Sequence, residues 1–377
     1  MESWAGGNVL KCRSCGWSSG EELNRYMCPR CGYPLDLEYR KDNKLPEPES
    51  IIRCREGIWC FQQLLPRYKY RATLGEGFTR IVDLKIYDVK VMAKMENQNP
   101  TGSFKDRGAA LAVSMALSMG AKAVIEDSSG NAGIATACYS KTHGVSSIIV
   151  APSTAPKGKL DLIRLCGAEV VIAKDREHAA ALAPRIAIER SGAYLPHTWL
   201  PHHIEAMKTI AFEIHYQVDE LPEAIFIPTS SGTLLLGLYR GFKDLVKLGY
   251  RDRIPRLIAV QTRSFHPIYT AMKGNELEPE EENLADGISI KKPPRLREIV
   301  DAVNDSRGDV IVVSNQEIRR ALKELVSKGI IVEPTSAVSL AGLLRSVEAG
   351  SVFERAMVIL TGSGLKMVQR MVELVQL

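Results

Sequence analysis

From about residue 70 onward the chain is punctuated by short, continuously apolar runs: Val91–Lys94, Ala123–Glu126, Ser147–Ala151, Val170–Ala173, Ala224–Pro228, Leu257–Gln261, Val310–Val313 and Met357–Leu360. Amphipathic segments of helical period lie between them. A strand reads as an unbroken apolar run, not as an alternation, when both faces of its sheet are covered. Parallel strands also need long crossovers, usually helical. The pattern therefore predicts an α/β fold with mostly parallel sheets covered on both faces. No internal repeat or low-complexity segment interrupts it.

Ligands of open α/β sheets bind beyond the carboxyl ends of the strands. Three loops at such ends share a composition. Ser128-Ser-Gly-Asn-Ala-Gly133 follows Ala123–Asp127, Thr229-Ser-Ser-Gly-Thr233 follows Ala224–Pro228, and Thr361-Gly-Ser-Gly364 follows Met357–Leu360. Each opens a helical pattern. Backbone N–H groups at such turns cradle anions, and hydroxyls add donors. One such loop is commonly just an N-cap. Three in one chain point to a shared ligand bearing phosphate or carboxylate. Neither GxGxxG nor GxxxxGK[ST] occurs, so hydride transfer and nucleotide hydrolysis lose their main support.

A fourth loop, Asn99-Pro-Thr-Gly-Ser-Phe-Lys-Asp-Arg-Gly108, brings a reactive group. Ser103 and Asp106 have capping-box spacing, which predicts a helix starting at Ser103. Phe104, Gly108, Leu111, Ala112, Met115 and Met119 then share one face. Lys105 falls in the first turn, where the helix dipole disfavours a cation. That suits a lysine whose amine must be neutral part of the time to bond an aldehyde. A surface lysine paired with Asp106 is the plainer alternative.

Four of the eight cysteines lie in two CxxC turns, Cys12–Cys15 and Cys28–Cys31, twelve residues apart and each followed by Gly. Paired CxxC turns predict a structural zinc ribbon with four thiolate ligands and no open coordination position. Cys54, Cys60, Cys138 and Cys166 have no ligand spacing, and the last two read as core thiols. His197, His202 and His203 cluster within residues 195–203; a second metal site is one reading, and a loop lining a substrate entrance is the plainer one, because no Cys or carboxylate pair accompanies them. No apolar stretch is long enough for a membrane span, and the N-terminus lacks the pattern of a signal peptide, so a cytoplasmic protein is expected. A net charge of +5 gives little reason to expect nucleic acid, and Arg13, Arg25 and Arg30 read as a solvated face of the ribbon.

Together these motifs resemble the fold type II pyridoxal-phosphate enzymes, the tryptophan-synthase-β-like group, over about Thr73–Leu377. Thr73-Leu-Gly-Glu-Gly-Phe-Thr79, Glu333–Gly342 and Thr361–Lys366 are similar to motifs of threonine synthases, as is the ribbon ending Cys28–Tyr39. The resemblance implies two three-layer lobes, with pyridoxal 5'-phosphate bonded to Lys105. It implies Asn131, Thr229, Ser230, Ser231, Gly232, Thr233 and Thr361 as further cofactor contacts. Ser129 would be a second catalytic group, and Ser128, Ser129 and Asn131 would bind the substrate carboxylate. Lys157, Lys159, His203, Lys208 and Ser129 would approach a substrate phosphate. The expected division is a ribbon (1–40), an extension (41–69), a large domain (70–119 and 202–377) and a small mobile domain (120–201), in a homodimer.

Three departures bear on the substrate. His203 stands where threonine synthases of this type carry an Arg, and a His cannot make a bidentate fork to phosphate. Thr229–Thr233 lacks the Gly-Asn-x-Gly-Asn form and looks more like the loop of cysteine synthases. Ala285-Asp-Gly-Ile288 resembles a segment of serine and threonine dehydratases, or is simply a tight turn. The expected reaction is conversion of O-phosphohomoserine and water to threonine and phosphate. A dehydratase or a β-replacement enzyme is the alternative.

Overall fold

The computed structural model describes residues 7–42 and 44–375. In chain order its strands are β1 (Val9–Lys11), β2 (Ser18–Gly20), β3 (Asp36–Glu38), β4 (Ile81–Ile86), β5 (Val89–Lys94), β6 (Ala123–Glu126), β7 (Ser146–Pro152), β8 (Glu169–Ala173), β9 (Ala193–Tyr194), β10 (Ala224–Pro228), β11 (Arg256–Thr262), β12 (Asp309–Val313) and β13 (Ala356–Ile359). Every apolar run named above is a strand. The chain forms two compact units. The first comprises the described residues up to Gly77, Asn99–Thr101 and Lys105–Thr209; the second comprises Phe78–Gln98, Gly102–Phe104 and the described residues from Ile210 onward.

The second unit holds a sheet in the order β12-β11-β10-β13-β5-β4. All pairs are parallel except β4 with β5. β10 is buried along its whole length, as a strand covered on both faces must be. Phe226, Ile258, Val260 and Val358 pack with the apolar side of the helix Pro334–Glu348. β4 escaped the apolar-run reading because its exposed Asp83 and Lys85 interrupt it, which is how an edge strand discourages further pairing.

The first unit carries a parallel sheet, β8-β7-β6-β9, and an antiparallel ribbon sheet, β2-β1-β3. The ribbon has a small core of its own: Leu10, Cys12, Cys28, Leu35 and Leu37. The segment after it wraps back onto the unit. Ile58, Trp59, Leu65 and Tyr68 join the core beneath the helix Lys105–Ser118, and the Trp59 indole donates to the Ala72 carbonyl at 2.9 Å.

Three expectations are corrected here. The helix starts at Lys105, not Ser103. Ser103 is extended and bridges to Gly362, while Asp106 accepts from the Thr101 N–H at 2.7 Å and from the Thr101 hydroxyl. That helix also has no single apolar face, since every residue from Asp106 to Ala116 is buried. Its Gly and Ala residues admit neighbours on all sides. Finally, Cys54 bonds Cys60 and Cys138 bonds Cys166, with Cα atoms 5.9 and 4.9 Å apart. Cys138 and Cys166 are half-buried and come together from two packed helices, Asn131–Thr142 and Lys157–Leu165, a pairing that linear spacing does not reveal.

Candidate active site

In the first unit Lys105 is half-buried in the first turn of its helix. Arg107, fully buried, donates to the Thr209 hydroxyl at 3.0 Å and ties this helix to the helix Pro201–Gln217. Gly108 sits against His203 so closely that a Cβ there would lie 2.0 Å from the ring Nδ1. Gly108→Ala is expected to cost about 2 to 3 kcal/mol by overpacking, measured as a fall in denaturant midpoint.

β6 ends in Glu126, and the loop Ser128–Asn131 follows at once. Ser128, Ser129, Gly130 and Asn131 are half-buried, and Asn131 starts the next helix, whose Gly130 N-cap supplies no side chain. The loop is thus open to an anion. The Ser128 hydroxyl accepts from the Gly130 N–H at 3.2 Å. Glu76 from the Thr73–Thr79 motif is fully buried. It accepts from the Thr73 hydroxyl, the Leu74 and Ile58 N–H groups and the Tyr139 hydroxyl at 2.8–3.2 Å. Glu76→Ala would strand these donors and is expected to destabilise the protein by about 3 kcal/mol or more in thermal or chemical unfolding.

Sequence reasoning missed Glu126 and Asp127, which meet His197. The Glu126 Oε1 lies 2.9 Å from the His197 Nδ1. Burial pushes Glu126 up to about 8, against the attraction of the Lys105 ammonium. Burial and the neighbouring Glu126 push Asp127 up to about 6. Burial, with the Lys105 charge, holds His197 down at about 3. The only signal in the sequence was an acidic pair closing an otherwise apolar strand.

His197 lies in a loop, in the turn 197–199, but His202 and His203 do not. Pro201 opens a helix, and His202 and His203 are buried in its first turn. The His202 Nε2 pairs with Glu21 at 2.7 Å and with the Tyr68 hydroxyl at 2.6 Å. His203 is buried with neither ring nitrogen hydrogen-bonded, and burial holds it well below the usual imidazole range, so it is neutral at pH 7. Lys208 is fully buried, 3.1 Å from Glu205 and 2.9 Å from the Tyr39 hydroxyl. Lys157 and Lys159 lie in the first turn of their helix, Lys157 exposed.

Glu21 and Tyr39 belong to the ribbon segment, so the ribbon is fastened to the helix that carries His203 and Lys208. Asn24 adds a second attachment, accepting from the Tyr194 N–H at 2.7 Å and donating to the Gly192 carbonyl at 3.0 Å. The four ribbon sulfurs lie within 4.8 Å of one another. Both knuckles have one geometry: Gly16 and Gly32 take φ of 73° and 71° and return their N–H groups to Cys12 and Cys28. This donor set fits a tetrahedral ion.

In the second unit the helix Thr233–Lys247 follows β10 and begins at Gly232, which provides no side-chain cap. The Thr229 hydroxyl turns to the Ile227 carbonyl, and Ser231 pairs with Thr233 at 2.9 Å. The Ser230 hydroxyl is buried with no partner. An orphaned hydroxyl beside uncapped N–H groups fits a phosphate. Thr361 follows β13 and lies 3.0 Å from the Ser336 hydroxyl. Its carbonyl accepts from the Phe104 N–H, also at 3.0 Å, and the chain runs directly from Phe104 into Lys105. Asp286–Ile288 is a tight helical turn, its Gly287 N–H donating to Thr335 at 3.2 Å.

Residues 72–362 match the family model described as "Pyridoxal-phosphate dependent enzyme". The chain is 32% identical to the threonine synthase of Methanosarcina acetivorans, over 97% of this chain and 93% of that protein. It is 32% identical to the threonine synthase of Methanocaldococcus jannaschii, over 95% of this chain and 93% of that one. Its fold is similar to that of maize serine racemase, with a TM-score of 0.69 at 21% identity, over 88% of this chain and 99% of that one. The chain belongs to the pyridoxal-phosphate-dependent enzymes of this fold. Among the described residues no helix is long and apolar enough to cross a membrane.

Proposed function

We propose that this enzyme is a threonine-synthase-like lyase that converts O-phosphohomoserine and water to threonine and phosphate. One observation carries the reading: its similarity to threonine synthases extends over nearly the whole length of both chains, ribbon included. The cofactor, when bound, withdraws electrons from the substrate α-carbon. Lys105 would bond the cofactor and carry protons at its Nζ. Ser128, Ser129 and Asn131 would hold the substrate carboxylate, with Ser129 also placed for proton transfer. Thr229, Ser230, Ser231, Gly232 and Thr233 would hold the cofactor phosphate. Thr361 would offer a neutral hydroxyl to the ring nitrogen.

The burial of Lys208 and His203 reassigns them in this reading: they brace the helix, and the substrate phosphate falls to Lys157, Lys159 and Ser129. Cys12, Cys15, Cys28 and Cys31 would hold a structural zinc. The segment 120–201, which contains all of β6–β9, would be the mobile small domain, in a cytoplasmic homodimer.

A second reading, a serine or threonine dehydratase or a β-replacement enzyme, draws on the neutral, buried His203, which offers no cation to a substrate phosphate. A panel of O-phosphohomoserine, serine, threonine and O-acetylserine, with products identified, separates the two. Phosphate release is expected from the first substrate alone. Pyruvate from serine without phosphate release from O-phosphohomoserine would select the second reading.

A further inference from the structure

Of the loop Asn99–Gly108, only residues 102–104 belong to the second unit, and they are clasped there by the loop that follows β13. Residues 102–104 run antiparallel to 361–363. Ser103 bridges to Gly362, the Ser363 N–H donates to the Gly102 carbonyl at 2.9 Å, and the Phe104 N–H donates to the Thr361 carbonyl at 3.0 Å. The far side of 361–364 is pinned as well. The Glu333 N–H donates to the Gly362 carbonyl at 3.0 Å and the Gly364 N–H to the Ile331 carbonyl at 3.2 Å. The Ser336 hydroxyl closes the centre, accepting from the Gly362 N–H at 2.7 Å and donating to its carbonyl at 2.9 Å.

One side chain completes the clasp. The half-buried Lys366 turns back and its Nζ donates to the Gly102 carbonyl at 3.0 Å, so that this oxygen accepts two hydrogen bonds. Gly102 is left-handed, with φ 79°, and a Cβ there would lie 3.2 Å from the Ser363 Cβ and 3.5 Å from the Lys366 Nζ. Glycine takes this conformation without strain. An ammonium is therefore fixed to a turn that only glycine suits, three residues before Lys105.

We propose that Lys366 is a positioning residue for the reaction: its ammonium locks the Gly102 turn and so fixes the point at which the chain passes into Lys105. This rests on reading Lys105 as the cofactor-bonding lysine. A pairing of three residues is marginal by itself. Its weak end is Gly102, where the left-handed turn departs from the pairing. A hydrogen bond from a charged donor is roughly twice as strong as a neutral one, and Lys366 places one at that end. A near-attack geometry depends on such anchorage, because small displacements of the reacting amine cost rate.

The test follows the rate at which pyridoxal phosphate bonds the full chain after the resident cofactor has been removed. Borohydride reduction and peptide mass spectrometry locate the bond. Lys366→Met keeps an unbranched side chain but removes the charge and its donors. It should bond the cofactor about tenfold more slowly, the loss expected for one charged hydrogen bond, and show faster hydrogen exchange in peptides covering 99–105. Lys366→Arg, which keeps charge and donors, should recover most of the rate. Gly102→Ala strains the turn with Lys366 in place and should slow bonding about fivefold. A merely structural role would lower the melting temperature of Lys366→Met without slowing the bonding.

An unchanged bonding rate in folded Lys366→Met would overturn the proposal, as would a Lys366→Arg variant as slow as Lys366→Met. If Lys366→Met does not fold, an unchanged rate in Gly102→Ala would overturn it. Absence of any adduct on Lys105 in the unaltered protein would instead overturn the reading of that lysine, and this proposal with it.

Discussion

Lys105→Ala is expected to slow turnover by at least about a thousandfold while leaving the fold intact. Removal of one positioned proton-transfer group typically costs a factor of about a hundred to ten thousand. Here the same amine is also the site of covalent bonding. Stability should change little, because alanine continues the helix at least as well as lysine. Asp106 and Thr101, which organise the start of that helix, are untouched. Turnover, thermal melting and borohydride capture together check this. A variant that melts normally, captures no cofactor and turns over no substrate is the expected outcome. Normal turnover would remove Lys105 from the chemistry.

Stripping the ribbon of its proposed zinc is expected to have the largest effect on stability. A structural zinc in a small ribbon contributes on the order of 10 kcal/mol of apparent folding free energy. The ribbon's own core is only five buried residues, too small to stand alone. The damage should spread in a defined direction. Glu21 holds His202, Tyr39 holds Lys208, and Asn24 holds the backbone at Gly192 and Tyr194. Loss of the ribbon would leave a buried lysine and glutamate without the Tyr39 hydroxyl and would free residues 192–208. Chelation, or Cys28→Ser, should lower the melting temperature and raise hydrogen exchange in peptides covering that segment. Exchange confined to the ribbon would show that it is not coupled to the helix.

The strands were legible because parallel strands covered on both faces are apolar along nearly their whole length, as β10 is. β4 and β9 were not: one alternates with charge and the other is two residues long. The Gly- and hydroxyl-rich loops could also be read as strand-to-helix turns, and Ser128–Asn131 and Thr229–Thr233 do lead from β6 and β10 into helices. The burial of Glu126 and Glu76 was not legible, since an acidic residue in a linear sequence reads as solvated until its partners are known. The histidine segment misled for the same reason. The sequence places Pro201 within a loop, whereas it opens a helix whose first turn is buried against Gly108 and the ribbon.

The most direct measurement gives the cofactor-loaded enzyme O-phosphohomoserine in water labelled with heavy oxygen. The predicted result is equal amounts of phosphate and threonine, with the label in the threonine hydroxyl. No phosphate release, together with pyruvate formed from serine, would contradict the account.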